Sequence, residues 1–315
     1  MTCTQTLIVT VTRRQLVCEN ILVLELENAA GEMLPAFTAG AHINLHLPGS
    51  LVRPYSLCND PAERHRYRLA IRRMENGRGG SISAHTLAVG SRLTISTPQN
   101  AFPLIENARR SVLMAAGIGI TPLMAMAHRL RTLNAHFDLH FRVNRARVAI
   151  IEALADGIAP ERVCLHAGEG RSDFDFASRI GVHEPGVHLY ICGPQGFVDA
   201  ARQAAKDWPI ETVHSESFTP TAPVEGDLAF SVQTASDGAW HLVPAGKTIA
   251  QVLTNAGYAI PTSCEQGICG TCRTKVLDGL PDHRDLCLSV ADQQSNAFIT
   301  PCCSRSITER LVLDL

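Results

Sequence analysis

A chain of 315 residues, 45% hydrophobic and 18% charged, has the composition of a globular protein with two or three domains, each able to bury its own core. A formal net charge of −2 leaves no basic excess for a nucleic-acid surface, and no apolar run is long enough to span a membrane. The first residues, Met1 to Gln5, lack the charged and apolar regions of an export signal, so the eleven cysteines are expected as reduced thiols in a cytoplasm.

The first hundred residues read as short strands separated by Gly and Pro clusters. Leu7–Val11, Ile21–Leu26, His42–Leu47, Tyr67–Ile71 and Arg92–Ile95 alternate or are rich in β-formers. Evenly spaced strands of this kind predict a small antiparallel barrel over residues 1–104. Two motifs stand on it. One is Arg53-Pro54-Tyr55-Ser56-Leu57. The other is Gly77-Arg78-Gly79-Gly80-Ser81, which runs into a short helix carrying His85. Glycines at a helix start leave backbone N–H groups open to an anion, and Arg53 and Arg78 supply positive charge. A Gly-rich stretch taken alone is equally a flexible turn.

Together, R-x-Y-S-L and G-R-G-G-S resemble the flavin site of the phthalate dioxygenase reductase family. The resemblance implies FMN, with Tyr55 and Ser56 flanking the flavin ring and Ser56 hydrogen-bonding near its N5. It implies that Arg53, Arg72, Gly79, Gly80 and Ser81 complete the site. Arg72 stands where that family often has Lys, and the charge is kept.

From residue 105 the pattern changes to strands alternating with helices. Ser111–Ala116 reads as a buried strand, followed by the turn Gly117-Ile118-Gly119-Ile120-Thr121-Pro122. A helix is predicted over Leu123–Leu133, with Leu123, Met126, Leu130 and Leu133 on one face. Phe137–Phe141 reads as a strand and Ala146–Leu154 as a helix. Val187–Cys192 is a later strand, leading through Gly193-Pro194 into a helix over Gln195–Trp208. This order predicts an α/β doubly wound parallel sheet over residues 105–222.

The glycine turn is G-x-G-x-x-P and departs from the dinucleotide fingerprint G-x-G-x-x-G. With the later C-G-P it is similar to the ferredoxin–NADP reductase superfamily. That likeness implies that Gly117, Gly119, Thr121 and Pro122 receive the pyrophosphate. It also implies that Cys192, with Gly193 and Pro194, lies by the nicotinamide carbon that gives up hydride. The structural alternative for Cys192 is a buried strand-end thiol. Arg142, Arg145 and Arg147 follow the second strand, where an acidic residue would favour a free ribose hydroxyl. They could accept a 2′-phosphate or meet the pyrophosphate; the resemblance implies NADH. It also implies that Phe218 covers the flavin ring, although Phe218 serves equally as a linker anchor.

Thr219 to Gly226 is Pro-rich and reads as a linker. A hairpin over Leu228–Val232 and Trp240–Pro244, a helix capped by Thr248 and ended by Gly257, and a closing strand at Leu311–Leu315 suggest an α+β β-grasp ferredoxin domain over residues 226–315. Its loop is Cys264-Glu265-Gln266-Gly267-Ile268-Cys269-Gly270-Thr271-Cys272, and Cys302 follows after 29 further residues. This is the C-x4-C-x2-C…C spacing of plant-type [2Fe–2S] proteins. Two irons need four thiolates, and glycines in the loop let backbone N–H groups approach the sulfurs. A zinc site would favour C-x2-C pairs. Cys264, Cys269 and Cys272 are the expected ligands. Cys302 and Cys303 compete for the fourth place, and the C-x-S-R ending of the resembled family points to Cys302. Of the seven remaining cysteines, Cys18 and Cys164 are expected as small buried residues.

Hydride donors give electrons in pairs and an iron–sulfur cluster takes them singly. A flavin between them can exchange both ways. The chain is therefore expected to pass electrons from nicotinamide to flavin, to cluster, and to an outside acceptor, with Cys192 and Ser56 nearest the hydride path. The resemblance covers essentially the whole chain and is close to the reductase components of vanillate O-demethylase and related aromatic-ring oxygenases. It implies a separate terminal Rieske-type oxygenase as partner. The chain itself has no His pair beside cysteines to hold a Rieske centre. The competing readings are a reductase releasing free flavin and a redox-sensing iron–sulfur module.

Overall fold

The computed structural model describes residues 5–49, 51–75, 77, 79–168, 174–218, 226–262, 265, 267, 270–285 and 287–315. Arg78, Cys264, Cys269 and all but the last residue of the predicted linker lie outside the described residues.

Six strands build the first sheet: β1 (Thr6–Cys18), β2 (Ile21–Asn28), β3 (His42–Leu47), β4 (Leu51–Ser56), β5 (Tyr67–Arg72) and, after the short helix α1 (Gly80–His85), β6 (Arg92–Ser96). They are antiparallel in the order β4-β3-β6-β1-β2-β5. The long β1 pairs with β6 along its first part and with β2 beyond. Its register shifts between Val11 and Arg13 and between Leu16 and Cys18. Bulges of this kind bend a strand, and the two ends of the order, β4 and β5, come together. The Arg53–Ser56 motif is itself strand. Pro54 is tolerated there because β4 stands at the end of the order, where one side needs no donor.

The second sheet is parallel: β7 (Arg110–Ala116), β8 (Phe137–Val143), β9 (Val163–Ala167), β10 (Val187–Gly193) and β11 (Val213–Ser217), in the order β11-β10-β7-β8-β9. Its helices are α2 (Ile120–Thr132), α3 (Ala149–Leu154), α4 (Phe176–Ile180) and α5 (Gln195–Ala204). Helix α2 starts three residues before the expected Leu123, because Gly117–Gly119 forms a tight 3-10 turn that feeds directly into it. Pro122 then falls in its first turn, where no intrahelical donor is needed. Leu123, Met126 and Leu130 are buried as expected, whereas Leu133 lies past the helix end and is exposed. Helix α5 stops at Ala204, short of Trp208. The Trp208 indole folds back to donate to the Gly181 carbonyl at 3.3 Å. Cys18 and Cys164, expected to be buried, are half-buried: one ends β1, the other lies on the sheet-edge strand β9.

One core joins the barrel strands to α2 and its face of the parallel sheet, through Leu113, Ala115, Tyr190 and Cys192. A second core lies on the opposite face, under α4 and α5. This shared packing explains why Met1–Phe218 forms one compact unit and Thr219–Leu315 another.

The second unit contains β12 (Phe230–Thr234), β13 (Trp240–Val243), α6 (Ile249–Asn255), β14 (Thr274–Asp278), β15 (Pro281–Asp282), α7 (Val290–Ser295), β16 (Phe298–Ile299), β17 (Arg305–Ser306) and β18 (Arg310–Leu313). The closing strand β18 sits inside the sheet, parallel to β12 and antiparallel to β14. Thr248 caps α6 with a complete capping box through Gln251, and Gly257 follows at φ +98°. Among the described residues, no helix is long and apolar enough to cross a membrane.

Candidate functional site

Three groups of residues stand out, two in the first unit and one in the second. The first lies on β4 and the turn from β5 into α1. Strand pairing sets Ser56 opposite His42 and Tyr55 opposite Ile43. Ser56 is buried, and Tyr55 packs against the core; burial, opposed by Arg53, pushes its phenol up to about 12. Gly79 adopts φ +78° and ψ −20°, a left-handed geometry that favours glycine at the start of α1. A Cβ on Gly80 would lie 2.5 Å from Cγ of Arg53, so this glycine makes room for the arginine stem. The Ser81 hydroxyl accepts from the Met74 N–H at 3.0 Å and ties the turn back on itself.

Arg72 ends β5 beside this turn, and its Nε is buried without a hydrogen-bond partner. Burial, then the nearby Arg147 guanidinium, lowers its pKa from the usual value. An unpartnered guanidinium nitrogen, a second like charge and a side-chain-free turn are what a phosphate group would satisfy. The residues present fit a flavin phosphate.

The second group lies where the strand order of the parallel sheet reverses. From β7 the chain runs outward through β8 and β9, then returns to place β10 on the other side of β7. Ligands of open α/β sheets bind at such a reversal, outside the carboxyl ends of the strands. The turn after β7 and the end of β10 touch here. A Cβ on Gly119 would lie 2.4 Å from the Cys192 carbonyl oxygen, and one on Gly193 would lie 2.9 Å from the Ala116 Cβ. Gly117 has φ +55°, and the Thr121 hydroxyl donates to the Ile118 carbonyl at 3.0 Å. Pro194 precedes α5, and its carbonyl accepts from the Phe197 and Val198 N–H groups. This close crossing leaves backbone groups open at one crevice, which fits the pyrophosphate of a dinucleotide.

Cys192 is fully buried and stands opposite Glu216 in the β10–β11 register. Burial, reinforced by the Glu216 carboxylate, holds the Cys192 thiol well above its usual pKa, so it is a neutral thiol and no nucleophile. Glu216 is itself only 6% exposed, so its carboxylate is buried beside the thiol. Sequence reasoning named Cys192 and missed Glu216. Only the strand register reveals their pairing, although Glu216 stands two residues before the singled-out Phe218. Phe218 is half-buried and packs against the core of the first unit.

The third group is the cysteine-rich loop of the second unit. Cys272, Cys302 and Cys303 are buried. Gly267 and Gly270 have φ +73° and +68°, as a tight wrapping loop requires. The Cys303 sulfur lies against Gly267, 2.5 Å from where a Cβ would stand. Its thiol also engages the Thr300 hydroxyl at 3.2 Å. Behind it, Arg305 donates to the carbonyls of Lys247, Leu228 and Pro244, anchoring the Cys302-Cys303-Ser304-Arg305 segment. Two further residues close over the loop. Asp285 has its Cα 2.8 Å from the Cβ position of Gly267, and the Cys287 N–H donates to the Gly267 carbonyl at 3.1 Å. Sequence reasoning singled out neither. Among the described residues no three His, Cys, Asp or Glu side chains form a metal site; two of the four expected ligands, Cys264 and Cys269, lie outside them. Buried thiols around a positive-φ loop fit an iron–sulfur cluster.

Known proteins match these features in the same order. Residues 8–103 match the family model of the oxidoreductase FAD-binding domain, and residues 236–306 that of the 2Fe-2S iron-sulfur cluster binding domain. The chain is 42% identical over 314 residues to a vanillate O-demethylase oxidoreductase from a Pseudomonas strain, covering 98% of this chain and 99% of that protein. It is 45% identical over 301 residues to the tert-butanol monooxygenase / tert-amyl alcohol desaturase reductase subunit of Aquincola tertiaricarbonis, covering 90% and 89%. The solved structure of phthalate dioxygenase reductase, described as modular for electron transfer from pyridine nucleotides to [2Fe-2S], superposes with a TM-score of 0.75 at 36% identity over 98% of both chains. A flavin barrel, a parallel sheet and a C-terminal iron–sulfur domain, matched end to end at this identity, make the chain a member of the phthalate dioxygenase reductase family of flavin and [2Fe–2S] oxidoreductases.

Proposed function

We propose that this oxidoreductase takes hydride from NADH onto FMN and passes single electrons through its cluster to a separate Rieske-type terminal oxygenase. The observation that carries the FMN assignment is the buried, unpartnered Nε of Arg72 with the Arg147 guanidinium nearby. A terminal phosphate monoester brings close to two negative charges to that point, and the second charge answers the second guanidinium. The names of the relatives, reductase components of demethylase and monooxygenase systems, support an oxygenase as acceptor.

The bound groups supply the hydride and electron chemistry; the chain supplies position. In this reading Arg53, Arg72, Gly79, Gly80 and Ser81 hold the phosphate, and Tyr55 and Ser56 flank the ring. Gly117, Gly119, Thr121 and Pro122 receive the pyrophosphate. Cys192, Gly193 and Pro194 bound the nicotinamide end, where a neutral buried thiol adds bulk and excludes water without competing for hydride. The Glu216 carboxylate stands beside it in the strand register, and Phe218 shields the ring. Cys264, Cys269, Cys272 and Cys302 hold the cluster. The functional domains are residues 1–104, 105–222 and 226–315, the first two fused through one core.

Chromatography of the flavin released from purified protein tests the first assignment; FAD as the main species contradicts it. Steady-state kcat/KM with each nicotinamide tests the second, and a large NADPH preference contradicts it. Mixing the reduced protein anaerobically with a purified Rieske oxygenase tests the third: reduction of the oxygenase cluster within catalytic times is expected, and its absence with every such partner contradicts the reading.

A further inference from the structure

A buried carboxylate stands between the two segments that carry the expected cluster cysteines. Asp285 lies on the turn from β15 to α7, and its side chain is wholly out of solvent. On one side it packs against Gly267, which falls between Cys264 and Cys269 in sequence. A Cβ on Gly267 would stand 2.8 Å from the Asp285 Cα and 2.9 Å from its Cβ. On the other side Asp285 Oδ1 accepts from the hydroxyl of Ser304, two residues past Cys302, at 3.3 Å. Oδ2 accepts from the Leu288 N–H at 2.9 Å and from the Cys287 thiol at 3.7 Å. The Gln293 side-chain amide donates to the Asp285 carbonyl at 3.2 Å and fixes the turn.

Among the described residues no arginine pairs with Asp285. The adjacent Arg284 pairs with Asp227 and Asp282, and Arg305 with Asp227. The ion-pair partner of Asp285 is His283, with Nδ1 3.5 Å from Oδ1. An ionised carboxylate is costly to bury. An asparagine would meet the same neighbours without that cost. Its oxygen would face the Leu288 N–H, and its amide would donate to Ser304 Oγ. The Ser304 proton then turns to Thr300 Oγ1, 2.9 Å away. The hydrogen bonds alone therefore do not call for a charge here.

We propose that Asp285 is a positioning residue for the cluster: it clamps the loop at Gly267 to the segment after Cys302, and its negative charge lowers the potential at which the cluster accepts an electron. The inference rests on the cluster reading given above. Reduction adds one negative charge to the group held by the two segments. A fixed carboxylate packed against both of them opposes that charge, and the low dielectric of a buried site strengthens the effect. The reduced state then gives up its electron more readily to an outside acceptor. Net charge, burial and hydrogen bonds to the sulfurs are the means by which proteins set such potentials.

The test is a redox titration of full-length wild type, Asp285→Asn and Asp285→Ala, followed by the EPR signal of the reduced cluster, with iron release to a chelator timed on the same samples. Asp285→Asn removes the charge and keeps the bonds. At the potential where the wild-type cluster is half reduced, its ratio of reduced to oxidised cluster should rise about tenfold, the order of effect one charge has on a neighbouring buried site. Its iron release should stay near the wild-type rate. Asp285→Ala should show the same rise and release iron several-fold faster, because the clamp is gone. An unshifted or lowered potential in Asp285→Asn overturns the proposal. If Asp285→Asn does not load iron, the potential of Asp285→Ala decides by the same criterion. A wild-type protein without iron contradicts the cluster reading itself and is recognised before any variant is examined.

Discussion

The backbone of Gly119 crosses the end of β10 so closely that a Cβ there would stand 2.4 Å from the carbonyl oxygen of Cys192. Its φ of −62° is open to any residue, so the contact, not the torsion, demands glycine. Gly119→Ala must push the Gly117–Pro122 turn away from the end of β10, where the nicotinamide is proposed to lie. Displacements of about 1 Å in a site cost on the order of 100-fold. We expect kcat/KM for NADH to fall about 10- to 100-fold, while flavin and iron contents stay at wild-type levels. Stopped-flow flavin reduction checks this, and an unchanged rate removes the crossing from the hydride step.

Arg72 gives a prediction in which two signs differ. In the apoprotein its charge is disfavoured by burial and by Arg147. Arg72→Gln should therefore leave the apoprotein as stable or more so. Loss of a charge-assisted contact to phosphate, worth about 1.5–3 kcal/mol, should weaken FMN binding about 10- to 100-fold. Fluorescence titration of apoprotein with FMN, alongside thermal melts, reads both. Equal FMN affinity takes Arg72 out of the phosphate site, and Arg53→Ala is expected to lower flavin retention in the same assay.

Adjacent cysteines near the chain end separate cleanly by iron analysis. Cys302→Ala should lose the cluster, whereas Cys303→Ala should keep it and change only its stability, since the Cys303 thiol contacts Thr300 and Gly267. The reverse result assigns the fourth ligand to Cys303.

Acid should weaken the first unit through its histidines. His166 stacks on His140, and His214 on His188 and Tyr190. Burial first, then neighbouring positive or titrating groups, lowers both His166 and His214 from 6.5 to about 4. A base with a lowered folded-state pKa binds fewer protons folded than unfolded. Its stability contribution is complete above pH 6.5 and is lost as pH falls from 6.5 toward 4. After allowance for partial exposure the two sites together should cost on the order of 1–3 kcal/mol. Urea melts at stepped pH should show this slope, and His166→Gln/His214→Gln should flatten it.

Alternating or capped segments were legible in the sequence. His42–Leu47 is β3 without adjustment, and the Thr248 cap opens α6 as expected. Strand β9 was missed because an edge strand with half-exposed residues and Leu165 on its surface has no clear period. Helix α4 has only five residues, less than two turns. The glycine turn and the C-G-P sequence were readable because each is contiguous. Glu216 beside Cys192, Arg147 beside Arg72 and Cys287 beside Gly270 were not, because strand register and turn packing create those neighbours.

Nicotinamide feeding a relay of flavin and cluster is read out by anaerobic titration of the purified protein with NADH, monitored by absorption with iron and flavin assayed on the same sample. Both flavin and cluster bands should bleach, with about one FMN and two irons per chain. A flavin that bleaches while the cluster band stays oxidised, or a colourless protein that takes up zinc and not iron, contradicts it.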